Sequence, residues 1–436
     1  MRQRKYFLPI WIFSLAALLA GCGSSSSTTN QNNSHPVTGL KKRVLLSNET
    51  RGFLNIIDAQ KNVPSASTIS MNAPSKLVTA GGITAAMSGG ITLVTIVDNA
   101  TEAVTFPVLV ADVPNDIVIT KDGKTVWVAE PNNGFVQSID TASGAITTSV
   151  PVPSASRLVL SPSGSRLLVF SDNPQGLVGP NNNNAFKNAF FVIDTAGALT
   201  THQATPINLS QGDQPFSAVF STSETQAFIL NCGSGCGGND GANPATPIPP
   251  SILNVDFTNA SAPGIGSRVN VNAATTGILS NGNLFVAGTT SPTAAVSPQT
   301  GFLQAINAST LTPAGAAVQI ADGLHTKMAA MSNGRLYIAS VGCNPGAPQA
   351  NNTRAGCLTI ANVSNPAAIS AVIPAESVFR QNFDVTGIQP ISNTNIVYVV
   401  QGGELDFFDI TTDAVSSSII PVDISGLGFD AVQIDP

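Results

Sequence analysis

Short apolar, β-branched runs alternate with polar turns along the chain, and eight of these runs end on an Asp or Asn. They close at Ile57-Asp58, Val97-Asp98, Ile139-Asp140, Ile193-Asp194, Val255-Asp256, Ile306-Asn307, Ala361-Asn362 and Phe408-Asp409. Their spacing, roughly 40 to 60 residues, is that of arrays built from small supersecondary units. After residue 22 no long segment carries apolar residues at helical spacing, so the pattern predicts strands and turns throughout.

The stretch 114–152 spells out one unit. Pro114-Asn115-Asp116 leads into a first strand, Ile117-Val118-Ile119-Thr120, and Lys121-Asp122-Gly123-Lys124 turns the chain. Thr125 to Ala129 is a second strand, followed by the turn Pro131-Asn132-Asn133-Gly134. Phe135 to Ile139 is a third strand ending on Asp140, and Thr141-Ala142-Ser143-Gly144 turns into a fourth, Ala145 to Val150. Four antiparallel strands in this length make one propeller blade. Further second strands read as Arg166 to Phe170, Gln226 to Leu230, Leu284 to Ala287, Leu336 to Ala339 and Ile396 to Val400. Two of them follow Asn281-Gly282 and Asn333-Gly334, which are hairpin signals.

The termini set the blade count. Arg43 to Leu46 is a second-type strand with no first strand before it, while Phe429 to Ile434 is a first-type strand with nothing after it. The last strand can therefore complete the first blade, which removes two free sheet edges. Internal units begin near 75, 114, 156, 216, 274, 325 and 383. The expectation is an all-β propeller of eight four-stranded antiparallel blades, closed by the C-terminal strand. Seven blades is the alternative, should the Gly-rich 75–112 unit not form its own blade.

The pattern resembles the YVTN-type propellers and their lactonase-like relatives. The resemblance rests on Ser161-Pro162-Ser163-Gly164-Ser165-Arg166-Leu167-Leu168-Val169 and Lys121-Asp122-Gly123-Lys124-Thr125-Val126-Trp127-Val128-Ala129. It covers most of residues 43–436 and is strongest in two or three blades. It implies the propeller fold, and in lactonase-like members a divalent metal at the central channel. It does not imply one activity, because propellers host many.

Composition adds a compartment. Residues 1–21 read as a signal peptide: Arg2, Arg4 and Lys5 open it and an apolar run from Tyr6 to Leu19 follows. Leu19-Ala20-Gly21-Cys22 resembles a bacterial lipobox, which implies cleavage before Cys22 and acylation of that residue. Two or three acyl chains would hold the protein stably on a membrane. Residues 22–38, rich in Ser, Thr and Asn, read as a flexible tether, and 39–436 as the propeller domain. Gly23 after the acylated Cys favours the outer membrane by resemblance to enterobacterial sorting. The net charge is -6, and no basic run interleaves with aromatics, which argues against a nucleic-acid partner. A monomer is expected.

Four cysteines remain, Cys232, Cys236, Cys343 and Cys357. An even number in an exported chain points to disulfides. Of three possible pairings, Cys232 with Cys236 and Cys343 with Cys357 are favoured, since each closes one loop; a metal site is the alternative reading. Both pairs fall in long second-to-third-strand loops, at about 171–188, 231–250, 288–300 and 341–356, in four successive blades. These loops lie on the face that opens into the channel and raise one side of it into a rim. Long loops of this kind are commonly functional. Residues at the starts of first strands should line the channel mouth: Asn115, Asp116, Arg157, Gln214, His325, Lys327, Asp384 and Asp430. They are candidates for holding a small polar ligand or an ion. No phosphate-binding Gly loop, His-Glu-x-x-His or Gly-x-Ser-x-Gly occurs. The functional expectation is a cell-envelope binding or scaffolding module for a protein, peptide or glycan, with no cofactor. The alternative is a lactonase-like hydrolase with a divalent metal at the channel.

Overall fold

Every one of the eight Asp or Asn marks is the last residue of a third strand. Each does the same local work. The side-chain Oδ1 accepts a backbone N–H two or three residues on, as Asp58 does from Gln60 at 3.0 Å, Asp140 from Ser143 at 2.8 Å, Asn307 from Ser309 at 3.0 Å and Asp409 from Thr411 at 2.8 Å. Such side-chain-capped turns reverse the chain into the fourth strand. In blade 4 the same device, Asp194, caps a short helix, Thr195–Thr201, that replaces the plain turn.

The structure is a computed structural model. It describes residues 36–171, 188–209, 213–233, 248–259, 263–290, 300–346, 350, 353–377, 383–416, 418–419, 421–424 and 428–435. The leader, Cys22 and most of the tether lie outside the described residues, as do Cys236 and 181–184. Among the described residues no helix is long and apolar enough to cross a membrane.

The strands form an eight-bladed propeller of antiparallel sheets, each ordered first to fourth from the channel outward. Blade 1 takes its first strand, Ala431–Gln433, from the end of the chain and the others, Arg43–Asn48, Phe53–Asp58 and Val63–Ser70, from its beginning. Register there pairs Val44 with Gln433, Leu45 with Val432 and Leu46 with Ala431. The buried Ser47 hydroxyl reinforces the closure, accepting from Phe429 N at 3.1 Å and Asp430 N at 2.8 Å. Blade 2 is complete: Pro74–Ala80, Ile83–Ser88, Leu93–Asp98 and Ala103–Leu109 form their own sheet, which excludes the seven-bladed alternative. First strands of blades 3 to 8 are Asp116–Ile119, Ala155–Leu160, Pro215–Phe220, Thr276–Ser280, Leu324–Ala330 and Val385–Pro390. The outer strand is split in blade 6 (Thr312–Pro313 and Val318–Ile320) and in blade 8 (Ala414–Val415 and Val422–Asp423).

Packing explains why the second strands read as unbroken apolar runs. The core is divided into eight clusters, one at each interface between neighbouring blades, so each sheet is buried on both faces. Trp127 and Val136 of blade 3, for example, pack with Leu167 and Phe191 of blade 4. The closing interface joins Tyr398 and Phe407 of blade 8 to Val44 and Leu46 of blade 1. Burying each such large apolar side chain contributes about 1.5–3 kcal/mol. Turns follow the hairpin chemistry: Asn281 (φ 49°) and Gly282 (φ 74°) both take the left-handed conformation that a two-residue turn between twisted strands requires.

Candidate functional site: the channel and its rim

Blade topology puts the starts of the first strands, the second-to-third-strand turns and the crossovers between blades on one face. Four of the sequence-derived channel residues act there as stitches to the next blade. Asp430 of blade 1 accepts from Leu77 N of blade 2 at 3.1 Å, from its neighbour Ala431 N at 2.9 Å, and from the Lys327 ammonium. Asp116 repeats the arrangement in blade 3, accepting from Leu158 N of blade 4 at 2.8 Å, from Ile117 N at 2.8 Å, and from the Lys76 ammonium. Asn115 Nδ2 donates to Ser156 O at 2.9 Å. Arg157 Nε donates to Phe216 O of blade 5 at 2.9 Å, and its guanidinium lies 3.5 Å from the centre of the Phe216 ring.

The other four are placed differently. Lys327 pairs with Asp430 past blade 8, so its ammonium reaches across part of the bore. Asp384 accepts from Gly342 N at 2.6 Å and so fastens the root of the long blade 7 loop. Gln214 takes a left-handed backbone (φ 51°), and its carbonyl accepts from Cys232 N at 3.0 Å. His325 is fully buried in the wall between blades, its carbonyl accepting from Thr275 Oγ1 at 2.9 Å. Burial pushes its imidazole down to about 4, against a weaker opposing contact with the Ala321 backbone.

A cavity of about 400 Å³ opens between the first strands of blades 1, 2, 6, 7 and 8. Lys76, Thr276, Thr326, Lys327, Gln389 and Asp430 supply its polar lining, and Leu77, Met328, Ile388, Ala431 and Val432 its apolar lining. It brings together only Lys327 and Asp430 of the eight residues expected. Lys76, Thr276, Thr326 and Gln389 were not among them. The first strands that carry Lys76, Thr326 and Gln389, like those of blades 4 and 5, have a register shift near their start that breaks strict in-and-out alternation, whereas the blade 6 strand that carries Thr276 is regular. In blade 7 the shift falls between His325 and Lys327, and Thr326, Lys327 and Met328 all line the cavity. Among the described residues no three His, Cys, Asp or Glu side chains cluster as metal ligands would.

One buried acid stands apart. Second strands end on polar side chains that hold the crossover into their blade: Asn48 Nδ2 donates to Ile424 O at 2.6 Å, Ser88 Oγ to Asn72 O at 2.6 Å and Gln401 Nε2 to Phe383 O at 3.0 Å. Blade 3 has Glu130 there, fully buried, with neither carboxylate oxygen in hydrogen-bond geometry. Burial pushes it up to about 7; the Asp112 charge adds to this and the amides of Ala111 and Asp112 oppose it.

The second and third strands of blades 4 to 7 are separated by the long segments 172–188, 232–250, 290–300 and 342–357, which in blades 4 to 6 lie mostly outside the described residues. The corresponding turns in blades 1, 2, 3 and 8 are tight. The blade 7 insertion is fastened several times. A disulfide joins Cys343 and Cys357, and Asn344 N donates to Asp322 Oδ1 at 2.7 Å. Thr353–Ala355 pairs with Ala375–Ser377 as a separate two-stranded ribbon. The Arg354 guanidinium sits 4.2 Å from the centre of the Phe383 ring. In blade 5, Cys232 is also disulfide-bonded, and Arg268 pairs with the buried Asp213, whose carbonyl accepts from Gly233 N at 3.0 Å.

Fold and site together define an eight-bladed propeller with a stitched channel mouth and long second-to-third-strand connections in four successive blades. No family model and no curated protein match the chain. Solved structures do. A dihydro-heme d1 dehydrogenase, NirN, in complex with DHE superposes with a TM-score of 0.65 at 9% identity, over 92% of this chain and 77% of that one. The hydrazine synthase of Kuenenia stuttgartiensis gives 0.54 at 14%, over 80% and 95%. The periplasmic gluconolactonase PpgL of Pseudomonas aeruginosa gives 0.52 at 13%, over 90% and 98%. At these identities the likeness is one of fold.

Proposed function

We propose that this chain is a lipid-anchored propeller of the bacterial cell envelope that binds a protein, peptide or glycan through the rim of its insertion-bearing face. The observation that carries the reading is the concentration of four long insertions on successive blades of one face, while the corresponding turns of blades 1, 2, 3 and 8 stay short. Ordering such loops costs conformational entropy. The disulfide, the ribbon and the Arg354 contact of blade 7 offset that cost, which a neutral insertion does not require. Replacing 232–250 and 342–357 by tight turns tests the reading. Partner capture from envelope extracts should be lost while the melting transition remains cooperative; retained capture contradicts it.

The anchor rests on the lipobox-like Leu19-Ala20-Gly21-Cys22. Cys22→Ala should move the protein from the outer-membrane fraction to the soluble fraction, and unchanged sedimentation with membranes would refute lipidation.

A second reading, a lactonase-like hydrolase with a divalent metal in the channel, draws support from the cavity and from the fold likeness to a gluconolactonase. Its difficulty is that Asp116 and Asp430 are each engaged by two backbone N–H groups and a lysine. Metal analysis of the purified protein, together with a panel of lactones and esters, separates the two readings.

A further inference from the structure

The cavity in the bore offers more hydrogen-bond donors than the protein itself uses. Its two lysines, Lys76 of blade 2 and Lys327 of blade 7, have side chains 34% and 30% exposed, while the acids they pair with, Asp116 and Asp430, are only 10% and 3% exposed. Each acid is already held three ways. Asp430 accepts from Leu77 N, Ala431 N and the Lys327 ammonium, and Asp116 from Leu158 N, Ile117 N and the Lys76 ammonium. An ammonium has three donors, and each of these gives one to its acid, so both retain donors for a guest. Thr276 and Thr326 add two hydroxyls to the lining. Gln389 gives one amide N–H to Pro390 O at 2.7 Å and has a second. Between these polar groups lie Leu77, Met328 and Ile388.

We propose that this cavity is a binding site for a small dicarboxylate, held by the ammonium groups of Lys76 and Lys327. The site is separate from the insertions and does not depend on the partner proposed for them. Its lining carries two cations and one acid, so it favours an anion although the chain as a whole has a net charge of -6. Low-dielectric walls focus that field inside a cleft. The two ammoniums are drawn toward acids on blades 3 and 1, so they present their remaining donors at two separate places. A ligand with a carboxylate at each end meets both, and the short carbon chain between them packs on Leu77, Met328 and Ile388. A volume of about 400 Å³ lies in the range of small-molecule pockets and suits a chain of a few carbons. A divalent cation is disfavoured, because both ammoniums repel it. Calcium takes about six to eight oxygen ligands, and the one acid in the lining is spent on three donors.

Calorimetric titration of the full chain with glutarate tests the site without any variant. Saturable binding is expected, weakening as salt is raised. Propionate, with one carboxylate, should bind about tenfold more weakly or worse. Neither inorganic phosphate nor calcium ion should displace glutarate at equal concentration. Removing one ammonium while keeping its apolar stem, in Lys327→Met or Lys76→Met, should also weaken glutarate about tenfold or more, as loss of a hydrogen bond to a charged group does. Should either variant fail to fold, Thr326→Val keeps both ion pairs and should weaken binding roughly two- to tenfold. No saturable heat with glutarate, or equal binding of propionate, overturns the dicarboxylate. Glutarate binding unchanged in every variant overturns the site. Displacement by phosphate or by calcium overturns the proposal in favour of an inorganic anion or a metal. None of these results bears on partner capture by the insertions, so the two readings fail separately.

Discussion

At the scale of single residues, the fold is written in polar side chains that hold backbone, and one of them is out of keeping with the rest. Asn48, Ser88 and Gln401 hold crossovers as neutral groups, whereas blade 3 buries Glu130. Its acid is raised from its ordinary 4.5 to about 7, so between those values the folded state binds more protons than the unfolded one. Stability from this residue is therefore full below about 4.5, falls as pH rises to about 7, and is constant above. His325 works in the opposite sense: lowered from 6.5 to about 4, it removes stability as pH falls through that window. Glu130→Gln should raise the melting temperature at pH 8 and leave it nearly unchanged at pH 4.5, and it should expose a steeper loss on acidification. A variant whose melting temperature is lowered equally at both values would contradict the assignment. The turn-capping Asp and Asn residues were legible in the sequence because a turn needs its acceptor at a fixed place. Glu130 was not, because its oddity appears only when eight blades are superposed.

At the scale of elements, the strands were legible wherever both faces of a sheet are buried, since burial on both faces writes continuous apolar runs such as Leu167 to Phe170. Unit boundaries near 75, 156 and 216 fall within a residue of the observed first strands at Pro74, Ala155 and Pro215. What escaped was the direction of individual side chains at the channel. The register shifts near Leu77, Arg157, Ser217, Lys327 and Gly387 break the period of two on which such a reading depends. Lys76 was hidden for that reason, and because its Gly-rich blade has a weak pattern. The elaborated loops carry their own prediction. The Cys343–Cys357 bond closes a loop of sequence separation 14, for which chain entropy gives about 3 kcal/mol. Replacing both by Ser should make the blade 7 insertion the first site of limited proteolysis and lower the melting temperature by several degrees. Cleavage spread evenly over the propeller would show that the bond supports the ring and not the rim.

At the scale of the whole molecule, the two faces are built differently. Ala431–Gln433 completes blade 1, Ser47 locks it, and Arg43 gathers Asp435 and Glu102 into a clasp on the face opposite the insertions. The other face carries four adjacent insertions and opens into the channel, whose acids are committed to stitching blades. That asymmetry underlies the proposal that the insertion-bearing face binds the partner. Photo-cross-linking in living cells tests it most directly, with the reactive residue placed at exposed Asn344 on the rim or at exposed Lys121 on the opposite face. The account predicts a discrete adduct of higher mass from Asn344 and none from Lys121. Adducts from Lys121 alone, or equally from both, would contradict it.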